Sequence, residues 1–284
     1  MPNTILRTAT AFADKRTPHI WSQTWEKNDT HHWHNCTITG CEEKDGYAEH
    51  DFTNGDCAVC GKKTALKYTL NDDGKSYTVT GINQDVADIV IAAEYNGKPV
   101  TSIGDYAFSG CSNLESVYIP DSATTIGDSA FENCSALTSI TIPDSVTTIG
   151  DSAFDGCSSL QYNEYDNADY LGNAGNPYVV LIKAKDTSIT SCTINSKTKV
   201  IYYSAFENCS ALTSITIPDG VTTIGDSAFD GCSSLQYNEY ENACYLGNAG
   251  NPYVVLIKAN NTSITSCTIN SKTKVIYYSA FRDC

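Results

Sequence analysis

Ile126-Gly127-Asp128-Ser129-Ala130-Phe131, followed by Cys134, Leu137, Ile140 and the pair Ile142-Pro143, is the stretch that decides the fold. The same frame returns along the chain. Phe108, Phe131 and Phe154 stand 23 residues apart, as do Phe206 and Phe229, each inside Ile-Gly-Asp-x-Ala-Phe-x-x-Cys-Ser-x-Leu-x-x-Ile-x-Ile-Pro or a variant of it. A period this short cannot close a core by itself. Each unit must bury its apolar face against its neighbours, as the coils of a solenoid do. Ile140-Thr141-Ile142 alternates inward and outward like a short strand, and Pro143 ends its ladder. The Asp-Ser-Ala-Phe-x-x-Cys portion has room for a turn or two of helix at most.

A longer duplication lies on top of this one. Residues 129–209 match 204–284 at an offset of 75, with 7 differences in 81 positions. The block consists of two 23-residue coils and a 29-residue one, in which Ile189, Cys192 and Ile194 reoccupy the slots of Leu137, Ile140 and Ile142. The turn-rich Gly172-Asn173-Ala174-Gly175-Asn176-Pro177 ahead of Val179 to Ile182 predicts an extra hairpin in each long coil. Strands are expected near 86–91, 114–119, 137–142, 160–165, 189–194, 212–217, 235–240 and 264–269, forming a parallel sheet of about eight short strands.

The repeated Ile-Gly-x-x-Ala-Phe-x-x-Cys-x-x-Leu-x-x-Ile-x-Ile-Pro motif resembles the BspA-like class of leucine-rich repeats, over about residues 86–284. The preceding Tyr68–Thr80 resembles that family's N-terminal cap hairpin. The resemblance implies a mainly β, irregular leucine-rich-repeat solenoid. Such repeats stand on cell-surface and secreted proteins of host-associated bacteria and in some parasitic protists, and are implicated in adhesion. They therefore imply a secreted or cell-surface location and a protein or glycan ligand on another cell or host matrix. The domain reading is a disordered segment at 1–20, a Cys/His-rich module at 21–65, the cap hairpin and first coil at 66–100, and the solenoid at 101–284.

Charge is unevenly placed. Of a net −15, residues 67–284 hold −13, with 11 Lys/Arg against 24 Asp/Glu. A surface that acidic repels phosphate backbones, so nucleic acid is not an expected partner. No apolar run approaches membrane-spanning length, and no membrane insertion is expected. Both ends read as those of a fragment. The chain stops at Cys284 inside a repeat, and Ala11-Phe12-Ala13 follows a stretch too short and polar for a signal peptide.

Cys111, Cys134, Cys157, Cys209, Cys232 and Cys284 share one slot and read as small buried filler, as do Cys192 and Cys267 on strand positions. Cys244 takes the place of Asp169 in the earlier copy, so its slot is expected to be exposed. It is the one candidate for a reactive thiol, against a chance substitution. Phe108, Phe131, Phe154, Phe206, Phe229 and Phe281 are expected to form one ring stack. Tyr162, Tyr165, Tyr170 and Tyr178, with their copies Tyr237, Tyr240, Tyr245 and Tyr253, gather in the long coils. Tyr offers a rigid apolar face with one polar tip, so Tyr162, Tyr170, Tyr178, Tyr237, Tyr245 and Tyr253 are candidate ligand contacts as well as candidate packing residues. Thr138, Ser139, Thr141, Gln161, Glu164, Thr190, Ser191 and Thr193 would form a hydroxyl-rich outer strip. The repeated Asp should cap the turn that follows it. No nucleophile–base pair and no phosphate loop stands out, so no enzyme is expected.

All five His lie between His19 and His50. The spacing Cys36-x4-Cys41-x15-Cys57-x2-Cys60 suits tetrahedral zinc, with His32, His34 or His50 as substitute ligands. Two disulfides are the other staple open to a segment with so few aliphatics. A closed four-ligand site would be structural. The string from Trp25 to Gly61 resembles a small Trp/His/Cys module of surface proteins from anaerobic bacteria. Three functions compete: an adhesion module, a structural spacer that displays another domain, and a zinc enzyme with Glu49 or His50 as base.

Overall fold

The computed structural model describes residues 26–27, 31–35, 44–49, 66–83, 86–282 and 284. Contacts divide the chain into two units, residues 1–64 with 94–97 and residues 65–93 with 98–284. In the first, Glu26–Lys27, His31–Asn35 and Lys44–Glu49 form a three-stranded antiparallel sheet, with Glu26 opposite Trp33 and His31 opposite Glu49. Cys36, Cys41, His50, Cys57 and Cys60 lie outside the described residues, as does the segment 1–20.

The second unit is a β-solenoid of about nine turns, with no helix among the described residues. It opens with the antiparallel hairpin of Leu66–Leu70 and Tyr77–Ile82, the place where a cap hairpin was expected. Tyr77–Ile82 then pairs in parallel with Lys98–Ile103, which continues into Thr125–Ile126 and Thr148–Ile149. Ile103, Ile126 and Ile149 sit in register, each buried. A second parallel ladder runs through Asp88–Val90, Ser116–Tyr118 and Ser139–Thr141, with Ile89, Val117 and Ile140 in register and buried. Each coil therefore contributes a short strand to two ladders, and the apolar residue between two polar ones points to the core.

The expected ladder is divided into sections. Its next coils supply only Ser191–Thr193 paired with Ser214–Thr216. Asn163–Tyr165 folds back antiparallel onto Ala168–Leu171, which pairs with Val180–Ala184, the predicted hairpin. Asn238–Tyr240, Ala243–Leu246 and Val255–Ala259 repeat the arrangement. Asp166 and Glu241, at φ of 49° and 50°, make the reversal, and the backbone groups that would have joined the long ladder bond within their own coil instead. At 264–269 no strand forms.

Turns replace the expected helical portion. Backbone amides there alternate in direction. Glu132 and Cys134 donate to Ser129 and Phe131 in their own coil, while Ser129, Phe131 and Asn133 donate to Asp151, Ala153 and Asp155 in the next. Helix would consume all of these amides internally, so stacking excludes it. The Asp residues also work between coils. Asp105 Oδ1 accepts the amide of Asp128 at 2.9 Å, and Asp128 Oδ1 that of Asp151 at 3.0 Å.

The long coil is anchored by two side-chain amides, the half-buried Asn173 and the buried Asn176. Asn173 Oδ1 accepts from the amides of Gly175 and Asn176, both at 2.9 Å, and its Nδ2 donates to Ile142 O at 3.0 Å. Asn176, 5% exposed, donates to Asp144 Oδ1 at 2.7 Å and to Lys197 O at 3.3 Å, tying three coils together. Asn248 and Asn251 repeat these contacts. Asn176→Ala removes a buried side chain and both of its bonds between coils, so it should lower the unfolding free energy by about 1–3 kcal/mol. Urea denaturation of that variant beside Asn176→Asp checks whether the donor itself is responsible.

Candidate binding surface

Of the cysteines read as buried filler, Cys134, Cys157, Cys192, Cys209 and Cys232 are buried, whereas Cys111 and Cys267 are half-buried and Cys284 is exposed, a correction for those three. Cys134, Cys157 and Cys232 each donate from Sγ to the carbonyl of the Phe in the preceding 23-residue coil, Phe108, Phe131 and Phe206, at 3.1 Å. Their slot is thus a small donor that fits a gap between turns. Burial pushes the Cys192 and Cys232 thiols up to about 12, so neither is a thiolate near neutrality. No disulfide joins the described cysteines.

Cys244 does not occupy an exposed slot. It is buried, its Sγ donates to Asn260 Oδ1 at 3.1 Å, and burial raises its pKa. The earlier copy explains why. Asp169 is itself only 15% exposed, held 3.8 Å from Lys183. Burial raises its pKa and the Lys183 charge offsets part of that, whereas the second copy replaces it with a neutral hydrogen-bonded pair. The reading of Cys244 as a reactive surface thiol is corrected accordingly.

The phenyl rings form two stacks rather than one. Phe108, Phe131 and Phe154 stack at 5.1 and 5.8 Å, near parallel, and Tyr202 ends the row at 5.8 Å and 49°. Phe206 and Phe229 stack at 5.7 Å, and Tyr277 ends them. The Tyr202 hydroxyl accepts the Phe154 amide at 3.2 Å, which elsewhere in the row bonds to an Ala carbonyl of the next coil. Phe281 is 38% exposed.

The long-coil tyrosines split by burial. Tyr170 and Tyr245 are fully buried and present no surface to a ligand, a correction to their place among the candidate contacts. Each is the anchor of a triad. Tyr165, Tyr170 and Tyr178 meet at 5.5–6.4 Å, as do Tyr240, Tyr245 and Tyr253, edge to face about Tyr170 and Tyr245 and tilted at 58° in the remaining pair of each. Tyr178 and Tyr253 are half-buried against these anchors, and Tyr165 is 38% exposed. Tyr162 and Tyr237 carry lysines over their rings, Lys183 at 4.7 Å and Lys258 at 4.6 Å, and burial lifts the Tyr162 phenol to about 12. The outward Thr138, Ser139, Thr190, Ser191 and Thr193 are exposed, although Thr138 Oγ1 already donates to Glu115 O at 3.0 Å.

Carboxylates repel one another along the turn column. Burial first, then Asp226 and Asp128, raise the Asp151 pKa above 3.8. A carboxyl whose folded pKa exceeds its unfolded value binds its proton more tightly when folded, so its ionisation opposes folding above that range. Asp151→Asn should therefore raise the melting temperature at pH 7, and the gain should shrink as pH falls toward the carboxylate range. Thermal melts at the two pH values decide it. Among the described residues, no group of three or more His, Cys, Asp or Glu is placed to hold a metal ion.

Comparison with known families matches six copies of the BspA type leucine rich repeat region to residues 92–173 and 184–250. Among solved structures, the chain is similar to a leucine-rich repeat protein of T. pallidum at 26% identity, covering 60% of this chain and 66% of that one, with a TM-score of 0.39. A leucine-rich cell surface protein of Faecalibacterium prausnitzii is similar at 23% identity, 78% and 73% coverage and a TM-score of 0.40. A leucine-rich repeat protein of Bacteroides ovatus matches at 24%, 78% and 68%, with a TM-score of 0.40. The chain thus spans just under two thirds of the T. pallidum protein. No curated protein matches.

Proposed function

Because this chain belongs to the BspA-type leucine-rich repeat family, we propose that it is a non-catalytic binding module, secreted or displayed at a cell surface, that recognises a protein or glycan on another cell or host matrix. The observation that carries this reading is the separation of roles within each long coil. Buried Tyr170 and Tyr245 hold the hairpins rigid, while Tyr165 and the Ser/Thr strip face outward. Rigid aromatics beside hydroxyls give contact area at little entropic cost. Burial raises the pKa values of Cys192, Cys232 and Tyr170 and keeps these groups protonated near neutrality.

A screen of the full chain against glycans and extracellular-matrix proteins should find a ligand whose affinity falls on Tyr165→Ala with Tyr240→Ala, measured at a temperature where melts show the variant fully folded. Silence from correctly folded protein counts against the reading. The spacer reading draws on the near identity of the two blocks, 7 differences in 81 positions. It predicts that deleting one 75-residue block leaves every activity intact.

The proposal extends to a structural zinc ion on Cys36, Cys41, Cys57 and Cys60, with His32, His34 or His50 as substitutes, supported by their spacing. Native mass spectrometry should find one zinc per chain. A mass reduced by lost hydrogens would indicate disulfides instead.

A further inference from the structure

A cleft of about 530 Å³ opens where the coil of Phe154 meets the long coil returning through Tyr202. Asp155, Tyr162, Lys183, Tyr203 and Glu207 line it. Lys183 is already engaged by the Tyr162 ring and by Asp169. The Asp155 and Glu207 carboxylates are exposed and have no side-chain hydrogen bond or ion pair among the described residues. A recess with an aromatic wall and two unpaired anionic groups has the chemistry to hold a cation.

The duplication supplies an internal comparison. The positions 75 residues on are Asp230, Tyr237, Lys258, Tyr278 and Arg282. Lys258 keeps its place over Tyr237. Glu207, however, has become Arg282, and Asp169, the lysine's counter-ion, has become Cys244. The first set holds two carboxylates and one ammonium; the second holds one carboxylate and two cations. Two of the 7 differences thus bear on this one recess, and both shift its charge in the same direction.

We propose that the first cleft seats a Lys or Arg side chain of a protein partner, and that its copy in the second block refuses one. This rests on the binding-module reading and names a site and ligand chemistry for it. A basic protein segment is favoured over an amino sugar because residues 67–284 carry 24 Asp/Glu against 11 Lys/Arg. That field gathers a polycationic chain and speeds its encounter.

The test is an NMR titration of the full chain with N-acetyl-lysine methylamide and its arginine counterpart, with the Nε-acetylated lysine and glucosamine as comparisons. Saturable shifts at Tyr162 and Tyr203 are expected for the two cationic amino acids. Glu207→Arg should weaken them roughly tenfold or more, the scale of one lost charge contact. Glu207→Gln should give a smaller loss, and the exposed position should leave the melting temperature unchanged. Arg282→Glu with Cys244→Asp should create a second site. Equal binding of the acetylated lysine, an unaltered Glu207→Arg titration, or binding of glucosamine alone would each overturn the proposal. If Glu207→Arg leaves a ligand from the screen bound, this site fails while the module reading stands.

Discussion

Replacing Phe131 by Ala should cost about 3–5 kcal/mol of unfolding free energy, the largest loss expected from one side chain here. Phe131 is fully buried and lies between two near-parallel rings, Phe108 at 5.1 Å and Phe154 at 5.8 Å. Truncation empties the middle of the row, and the flanking turns cannot collapse into the gap because their amides are committed to each other across coils. Part of the loss is the ring–ring contact itself, about 0.5–1.5 kcal/mol per pair. Phe281→Ala is the matched comparison. With 38% of its surface exposed, it should lose far less. Urea midpoints of the two variants test the pair, and equal losses would contradict a buried stack.

Gly127→Ala is the second large effect. A Cβ there would stand 2.6 Å from the Asp105 amide nitrogen and 2.8 Å from the Gly104 carbonyl carbon. Both are backbone atoms held in the ladder, so relief requires moving one coil against another. The expected cost is about 1–3 kcal/mol or more, by overpacking. Gly220 provides the contrast. Its Cβ would meet nothing closer than 3.5 Å, and the other block carries Ser145 at this position, donating to Ala123 O at 2.7 Å. Gly220→Ser should leave stability unchanged or slightly raised. Thermal melts of Gly127→Ala and Gly220→Ser separate the two kinds of glycine, and a neutral Gly127→Ala would show that the coils are not packed this closely.

Phe131, Leu137 and Ile140 were legible in the sequence because a 23-residue period assigns each a slot that only interior packing explains. Periodicity reports burial well and partners poorly. Cys244 was misread because one position was judged alone. The accompanying change of Lys185 to Asn260, which supplies its hydrogen-bond acceptor, shows that the pair was exchanged together. Tyr170 and Tyr178 look alike as letters, and only the antiparallel return of the hairpin puts one inside and the other half out. The Asp residues were expected to cap their own turns. Their actual acceptor role lies one coil away, a distance that no local pattern encodes. Tyr202 breaks the ring row at a position where Ile-Gly-Asp becomes Ile-Tyr-Tyr, and this departure from the frame was the available signal.

The tyrosine that closes each ring row has an evolutionary consequence. Tyr202 against Phe154 and Tyr277 against Phe229 are one joint made twice, at 5.8 and 6.1 Å with tilts of 49° and 57°. A block bounded by the same joint on either side is interchangeable in tandem. Unequal crossing-over can add or excise it and leave every remaining contact between neighbours of a kind already present. Each added block contributes its own stability plus one familiar junction. Lineages carrying this gene should therefore differ in length by whole multiples of 75 residues more readily than by single coils.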